Sequence, residues 1–301
     1  MRSKFVVYTV LTGDYDSIMQ PEVIDNRFDY VLFTDDLSIS QVGVWSVRKI
    51  PYDHSNSIRV SRYPKMHPVL LLPEYKASLY IDANIQIAKK IIYDIFIELY
   101  ENGYDWGAVD HPLYNCIYED AYNVMVYSLE SEMAVLNWCH YLRSEKYPRY
   151  NGLFENNIIF RRHNQRVQKT DEAWWEIYQQ YTRRDQLSLM YVLWKNSTLK
   201  IGKILPSGEN ATNSTIVNRK THSTSSKRTR ILNSNLWQHF RNRCRVGLPA
   251  KSQSFQDVHY FLYKFPAKLS ILLLNLWTIY ALIIYGPRIK YEAYLRHKEN
   301  K

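Results

Sequence analysis

Ala77-Ser78-Leu79-Tyr80-Ile81, running directly into Asp82-Ala83-Asn84, is the stretch that decides how this chain is read. A short continuous apolar run closed by a turn signal reads as a buried strand. Two similar runs lie upstream. Lys4–Val10 ends at Thr12-Gly13-Asp14, and Tyr30–Phe33 is closed by Thr34-Asp35-Asp36. Each strand signal thus ends in acidic residues, with polar or helical segments between. The alternation predicts an α/β fold, a mixed and mainly parallel sheet flanked by helices. In such sheets ligands bind beyond the carboxyl ends of the strands, where all three acidic clusters fall.

Helical spacing takes over further along. Ile91, Ile92, Ile95 and Leu99 share a helical face with Gly103 placed to cap it, and Glu132–Leu142 and Asp171–Tyr181 also read as helices. Asp185 is positioned as N-cap of Gln186–Trp194, whose Leu187, Met190, Tyr191 and Trp194 form an apolar stripe that reads as core.

The 301 residues are 46% hydrophobic and 23% charged, enough to bury a core, which excludes wholesale disorder. Only 9 Gly against 26 Tyr and 8 Trp excludes collagen-like and Gly-rich linker classes. Cys116, Cys139 and Cys244 are too scattered for a disulfide framework or a CxxC zinc site, so a reducing compartment is expected. The first apolar stretch is too short for a secretion signal, and a cytoplasmic start is expected. There is no G-x-S-x-G, P-loop or G-x-G-x-x-G, which disfavours serine hydrolases, P-loop enzymes and dinucleotide-binding folds. N-x-S/T sequons at Asn196, Asn210 and Asn213 read as chance in a Ser/Asn-rich stretch.

Charge is unevenly spread. Residues 1–209 carry 23 Lys/Arg and 26 Asp/Glu, a net −3, whereas residues 210–301 carry 16 and 3, a net +13. Three parts are expected: a folded body over 1–209, a basic linker over 210–256, and a hydrophobic, basic helical tail over 257–301. Within the tail, Leu269–Gly286 has 18 residues and no charge, flanked by Lys264 and Lys268 before it and Arg288, Lys290 and Arg296 after it. Positive flanks on both sides suit a segment lying in one anionic leaflet, peripheral or monotopic at the inner face of the cell membrane. A true span and a buried helix are the alternatives. A nucleic-acid reading has Arg241, Arg243 and Arg245 near Trp237 and Phe240 in its favour but leaves the apolar run unexplained, so nucleic acid is not the expected partner.

Chemistry centres on Asp82-Ala83-Asn84. Side chains at i and i+2 of a strand end point to the same side. Two oxygen donors there would suit Mg²⁺ or Mn²⁺ together with a ligand's phosphates; the competing reading is an ordinary Asx turn. Upstream, Arg59-Val-Ser-Arg62-Tyr-Pro-Lys65-Met-His67-Pro68 is a basic cluster that would neutralise a diphosphate, or alternatively form surface ion pairs.

Several stretches occur together and in order: YTVLTGDYD (Tyr8–Asp16), DYVLFTDD (Asp29–Asp36), RYPKMHPVLLLPEYKASLYIDANIQI (Arg62–Ile87), HPLYNCIYEDA (His111–Ala121), GLFENNIIFRRHN (Gly152–Asn164) and RDQLSLMYVLW (Arg184–Trp194). Over roughly residues 4–200 this set resembles the glycosyltransferase-like domain of plant mucilage-related and turgor-regulation proteins, also found in bacterial polysaccharide clusters. The resemblance implies a GT-A-like nucleotide-diphospho-sugar fold, with Asp82-Ala83-Asn84 in the place of the usual D-x-D. It also implies a nucleotide-sugar donor and a glycan or lipid-linked acceptor in surface polysaccharide synthesis.

Roles are then expected as follows. Thr9 to Tyr15, with Asp14 among them, and Asp35 and Asp36 cradle the nucleoside. Arg62 and Lys65 face the diphosphate, and Asp82 and Asn84 face metal or sugar. His163 is a candidate third metal ligand. Asp185, and after it Glu155, is the candidate base that takes the acceptor hydroxyl's proton, and His111 and Glu119-Asp120 are candidates for the acceptor side. Two other classes compete with the enzyme: a nucleotide-sugar or glycan-binding protein without catalysis, and a membrane- or nucleic-acid-binding module carried by the tail.

Overall fold

A computed structural model describes residues 4–13, 18–127, 129–182, 184–220, 253–280 and 283–284. The described residues form the strands β1 (Phe5–Leu11), β2 (Phe28–Thr34), β3 (Gln41–Val42), β4 (Trp45–Lys49), β5 (Ala77–Ile81), β6 (Ile85–Ile87), β7 (Trp106–Asp110), β8 (Phe154–Arg162), β9 (Ile201–Lys203) and β10 (Val217–Arg219). The main sheet has the order β3-β4-β2-β1-β5-β8-β7-β9, and β6 pairs with β10 in a separate ribbon. β1 is parallel to β2 and β5, β2 to β4, and β7 to β9, while β8 runs antiparallel to both neighbours. The mixed, mainly parallel sheet expected from the sequence is therefore present. The chain winds outward from β1 through β2 and β4, then returns to place β5 on β1's other side. That reversal is the switch point at which open α/β sheets bind ligands.

The helices are α1 (Ser57–Met66), α2 (Pro68–Leu71), α3 (Ile91–Glu101), α4 (Ile117–Val126), α5 (Glu132–Ser144), α6 (Gln165–Gln180), α7 (Asp185–Lys195) and α8 (Gln253–Leu262). A further helix, α9, covers 267–280. Period-2 alternation divides the sheet's two faces. Phe5 and Phe28 on one face meet Phe96 of α3 at ring-centroid distances of 5.2 and 4.8 Å. Tyr8 of β1 points the other way, and its hydroxyl reaches the Lys65 carbonyl of α1. Val6 and Val7, one on each side, are fully buried; burial of this kind is worth about 1.5–3 kcal/mol per side chain.

Some sequence expectations shift. On α3 the buried positions are Ile92, Tyr93, Phe96 and Leu99, while Ile91 is exposed. The sheet selects the aromatic-rich face over the isoleucine-rich one. Gly103 does follow the helix at φ +74°, and the next amide, Tyr104 N–H, donates to Leu99 O. Leu99 in turn sits against Gly107 and Gly202, paired across β7 and β9; an added Cβ would lie 2.9 and 2.5 Å from its methyl carbons. α6 begins six residues earlier than expected because the Asn164 side chain accepts from Val167 N–H and caps it. α7 is buried from Leu187 through Leu193, well beyond a single stripe.

Contacts divide the chain into two units, Met1–Asn115 with Tyr150–Thr224, and Cys116–Arg149 with Ser225–Lys301. Among the described residues, the first holds every strand. Val217–Arg219, within the stretch expected to be linker, pairs as β10 with Ile85–Ile87. In the second unit, α4, α5 and α8 share an aromatic cluster in which Tyr118 meets Tyr260 at 4.9 Å and Arg143 lies 3.8 Å over the Tyr260 ring. Among the described residues no helix is long and apolar enough to cross a membrane. The expected Leu269–Gly286 segment extends past them.

Candidate active site

The end of β5 and the last turn of α1 converge. Lys65 Nζ lies 3.6 Å from Asp82 Oδ1, the first residue past β5, and 4.9 Å from the centroid of Tyr80. Tyr80 hydroxyl donates to the same Asp82 oxygen at 2.6 Å. Asp82 is further held through its backbone, its N–H donating to Asn157 O of β8 at 2.8 Å.

The geometry of α1 explains how a lysine comes to be fixed there. Helix C-termini leave their last carbonyls without intrahelical partners. The Lys65 carbonyl is one of these, and it accepts from Arg161 Nη1 at 2.5 Å and Tyr8 hydroxyl at 3.4 Å. Arg161 is fully buried on β8, its guanidinium 4.6 Å from the Trp106 ring and 5.6 Å from the Trp174 ring, with Asp171 at 3.5 Å. A cation clamped by aromatic faces thus anchors the segment that carries Lys65.

Asp185 completes the cluster and does not do what its place in the sequence suggests. It is the first residue of α7, with Arg184 at the N-cap position, and no side chain caps the helix. Its carboxylate instead accepts from Lys65 Nζ at 2.6 Å and lies 3.4 Å from Arg62 Nε. Trp174 Nε1 holds the Asp185 carbonyl at 3.1 Å. Burial opposes ionisation of this carboxyl, but Arg62, Lys65 and Arg184 outweigh it and hold the group well below the usual carboxylate range. The carboxylate thus contacts both Lys65 and Arg62, whereas a general base works best with a pKa near the operating pH.

A stability consequence follows from that shift. A carboxyl depressed in the folded state contributes stability above its unfolded pKa, about 4, and loses it as pH falls toward the folded value. Asp185→Asn is expected to melt lower than the parent chain at pH 7, with the gap closing only below about pH 4. Thermal melts across pH check this.

Glu155, on β8 at the same end as Asp82, contrasts with Asp185. Burial raises its pKa; Arg219 at 3.5 Å, Asn157 and the Ala211 amide pull it back, and Asp82 pushes it up again. Its Oε2 is buried without a hydrogen-bond partner among the described residues, as are Asn157 Oδ1 and both amide atoms of Asn156. Buried orphans of this kind at a strand end are what a polyhydroxylated ligand would satisfy. Sequence reasoning passed over Asn156 and Asn157. The available signal was two consecutive amides next to Glu155, directly before the apolar run Ile158-Ile159-Phe160 of a central strand.

Other expected site residues fall elsewhere. His163 lies past the far end of β8, which runs antiparallel to β5. Its N–H donates to Lys76 O and its Nε2 bonds Ser78 Oγ at 2.9 Å, about 13 Å of strand away from Asp82. Burial lowers its pKa to about 4, and the structure does not bring it together with Asp82 and Asn84. Thr9 is buried within β1, two residues short of the strand end, with Oγ1 unpartnered among the described residues. Asp36 is exposed and accepts from Ser38, whereas it is Asp35 that receives the Gly13 N–H. Asp14 and Tyr15 lie outside the described residues. His111 Nδ1 accepts from the Leu113 and Tyr114 amides in a local turn.

Of the three residues expected to hold a divalent cation, the structure brings Asp82 and Asn84 together just past the end of β5. Asp82 Oδ1 already accepts a phenol and faces an ammonium, and Asn84 Nδ2 is tied to Lys220 O at 2.8 Å. With His163 elsewhere, Asp82 and Asn84 are what remains at this end of the sheet of the expected three. Among the described residues no group of three or more His, Cys, Asp or Glu is arranged to hold a metal. What the cluster offers instead is positive charge, since Arg62, Lys65 and Arg184 outnumber Asp82 and Asp185.

Arg62, Lys65, Asp82 and Asp185 meet at the switch point of a mixed α/β sheet, the place where open sheets of this kind bind ligands. The family is specific: the chain belongs to the TOD1/MUCI70 glycosyltransferase-like domain family, whose model matches residues 1–222. A solved structure, a WbbM bifunctional glycosyltransferase in its apo form, is similar at a TM-score of 0.40 and 13% identity, over 68% of this chain. The match spans 39% of that protein's chain. No curated protein matches the chain in sequence.

Proposed function

We propose that the chain is a GT-A-like glycosyltransferase that moves a sugar from a nucleotide-diphosphate donor to a hydroxyl of a glycan or lipid-linked acceptor. The observation that carries this reading is Lys65, immobilised 2.6 Å from Asp185 and 3.6 Å from Asp82, with Arg62 beside it and a quarter exposed. In the reaction the anomeric carbon–phosphate oxygen bond breaks and its electron pair leaves with the nucleoside diphosphate. The acceptor oxygen bonds the anomeric carbon and gives its proton to Glu155. Lys65 and Arg62 stabilise charge developing on the leaving diphosphate, as preorganised cations in a dry site do. Asp82, Asn156 and Asn157 supply donors and acceptors for sugar hydroxyls.

A second reading, donor binding without turnover, is favoured by Asn84, which leaves Asp82 without a second acidic partner. One experiment addresses both. Thermal melts with UDP- and GDP-sugars, each with and without Mn²⁺, are expected to show stabilisation by one base; at about 100 times Kd the gain is about 2.7 kcal/mol. Mn²⁺ is expected to leave the shift unchanged, and Asp82→Ala to abolish sugar release from the stabilising donor. Failure of every nucleotide to shift the melt overturns the proposal, and a shift without release or transfer across an acceptor panel selects the second reading.

A further inference from the structure

Helix α9 presents its apolar side outward. Its buried positions are Ala267, Ser270, Leu274 and Thr278, a row of mostly small or hydroxyl-bearing residues. The hydroxyls are satisfied within their own segment: Ser270 Oγ donates to Leu262 O at 2.9 Å and Thr278 Oγ1 to Leu274 O at 2.6 Å. On the opposite side Leu269, Leu272, Leu276 and Ile279 are 41 to 56% exposed, and Ile283 beyond them is 70% exposed. An amphipathic helix on a solvated surface does the reverse. A continuous exposed apolar row is an interaction surface.

Charge identifies the partner. Lys264 and Lys268 stand at the start of the row, the Lys264 ammonium 3.7 Å over the exposed Phe261 ring. Residues 210–301 carry 16 basic and 3 acidic side chains. A second copy of the chain on this row would bring two such positive segments together, whereas anionic headgroups would be drawn to them. Trp277 and Tyr280, paired at 5.4 Å, are of the residue types enriched at the depth of lipid headgroups. We propose that α9 lies flat in the surface of an anionic lipid bilayer, with its Leu/Ile row among the acyl chains and Lys264 and Lys268 among the headgroups. This rests on the helix alone and stands apart from the sugar-transfer reading.

Co-sedimentation of the full chain with vesicles tests it. Binding is expected to vesicles of phosphatidylcholine mixed with phosphatidylglycerol, and to be weaker by about tenfold or more for phosphatidylcholine alone. The double variant Leu272→Glu/Leu276→Glu, at exposed positions, is expected to keep the parent melting temperature and lose about tenfold or more of the mixed-vesicle binding. A parent chain that stays in the supernatant with both vesicle types overturns the proposal, and so does a double variant that binds as the parent does. Light scattering adds a third overturning result: a dimer that the variant dissolves, with no vesicle binding by the parent, would assign the row to a second copy of the chain.

Discussion

Lys65→Met is expected to lower kcat/KM for sugar transfer by about 10³-fold, the scale on which removal of one preorganised charge-stabilising donor is felt. The substitution also leaves the buried Asp185 carboxylate short of a partner, and breaking such a pair costs about 3–5 kcal/mol of stability. Activity loss alone would therefore not separate chemistry from folding. The double variant Lys65→Met/Asp185→Leu does so. Replacing both members of a buried ion pair with apolar groups is often neutral or better, so the double variant is expected to recover most of the melting temperature and remain inactive. Activity that returns together with stability would remove Lys65 from the leaving-group role.

Glu155→Gln is expected to lower kcat by about 10²–10⁴-fold, the usual range for losing a positioned general base, with donor affinity nearly unchanged. The pH profile carries the sharper information. Burial holds the Glu155 carboxyl above its ordinary value, so the acidic limb of the parent rate profile is expected to lie above the free-glutamate region near about 4.3. Glutamine at this position removes that limb. A variant whose acidic limb persists, or whose loss appears wholly in KM, would assign the proton to another group.

Much of this site can be read in the chain because it is built at strand ends. The apolar runs Lys4–Val10, Tyr30–Phe33 and Ala77–Ile81 each stop at an acid, and a parallel arrangement brings those stops to one edge. That logic is enough to bring Asp82 and Lys65 together, because only fifteen residues, carrying α2 and β5, separate the end of α1 from Asp82. It fails for Asp185, which lies 120 residues from Lys65. Locally it resembles a cap; its real partner depends on how α6 and α7 pack, and no periodicity encodes that. His163 misleads for a related reason. Composition marks GLFENNIIFRRHN as a strand but not its direction, and the antiparallel setting of β8 carries His163 to the opposite edge from Asp82 while keeping Glu155 at the same one.

The Lys65 carbonyl, the Tyr8 phenol and the Arg161 guanidinium meet at a single point behind the Lys65 ammonium. Attempts to retool this protein for other substrates should leave that keystone untouched, because a change in any member shifts the ammonium above it as well as the residue replaced. Selectivity, on the sugar-transfer reading, is better sought at Asn156, Asn157 and Arg219, which take no part in those hydrogen bonds.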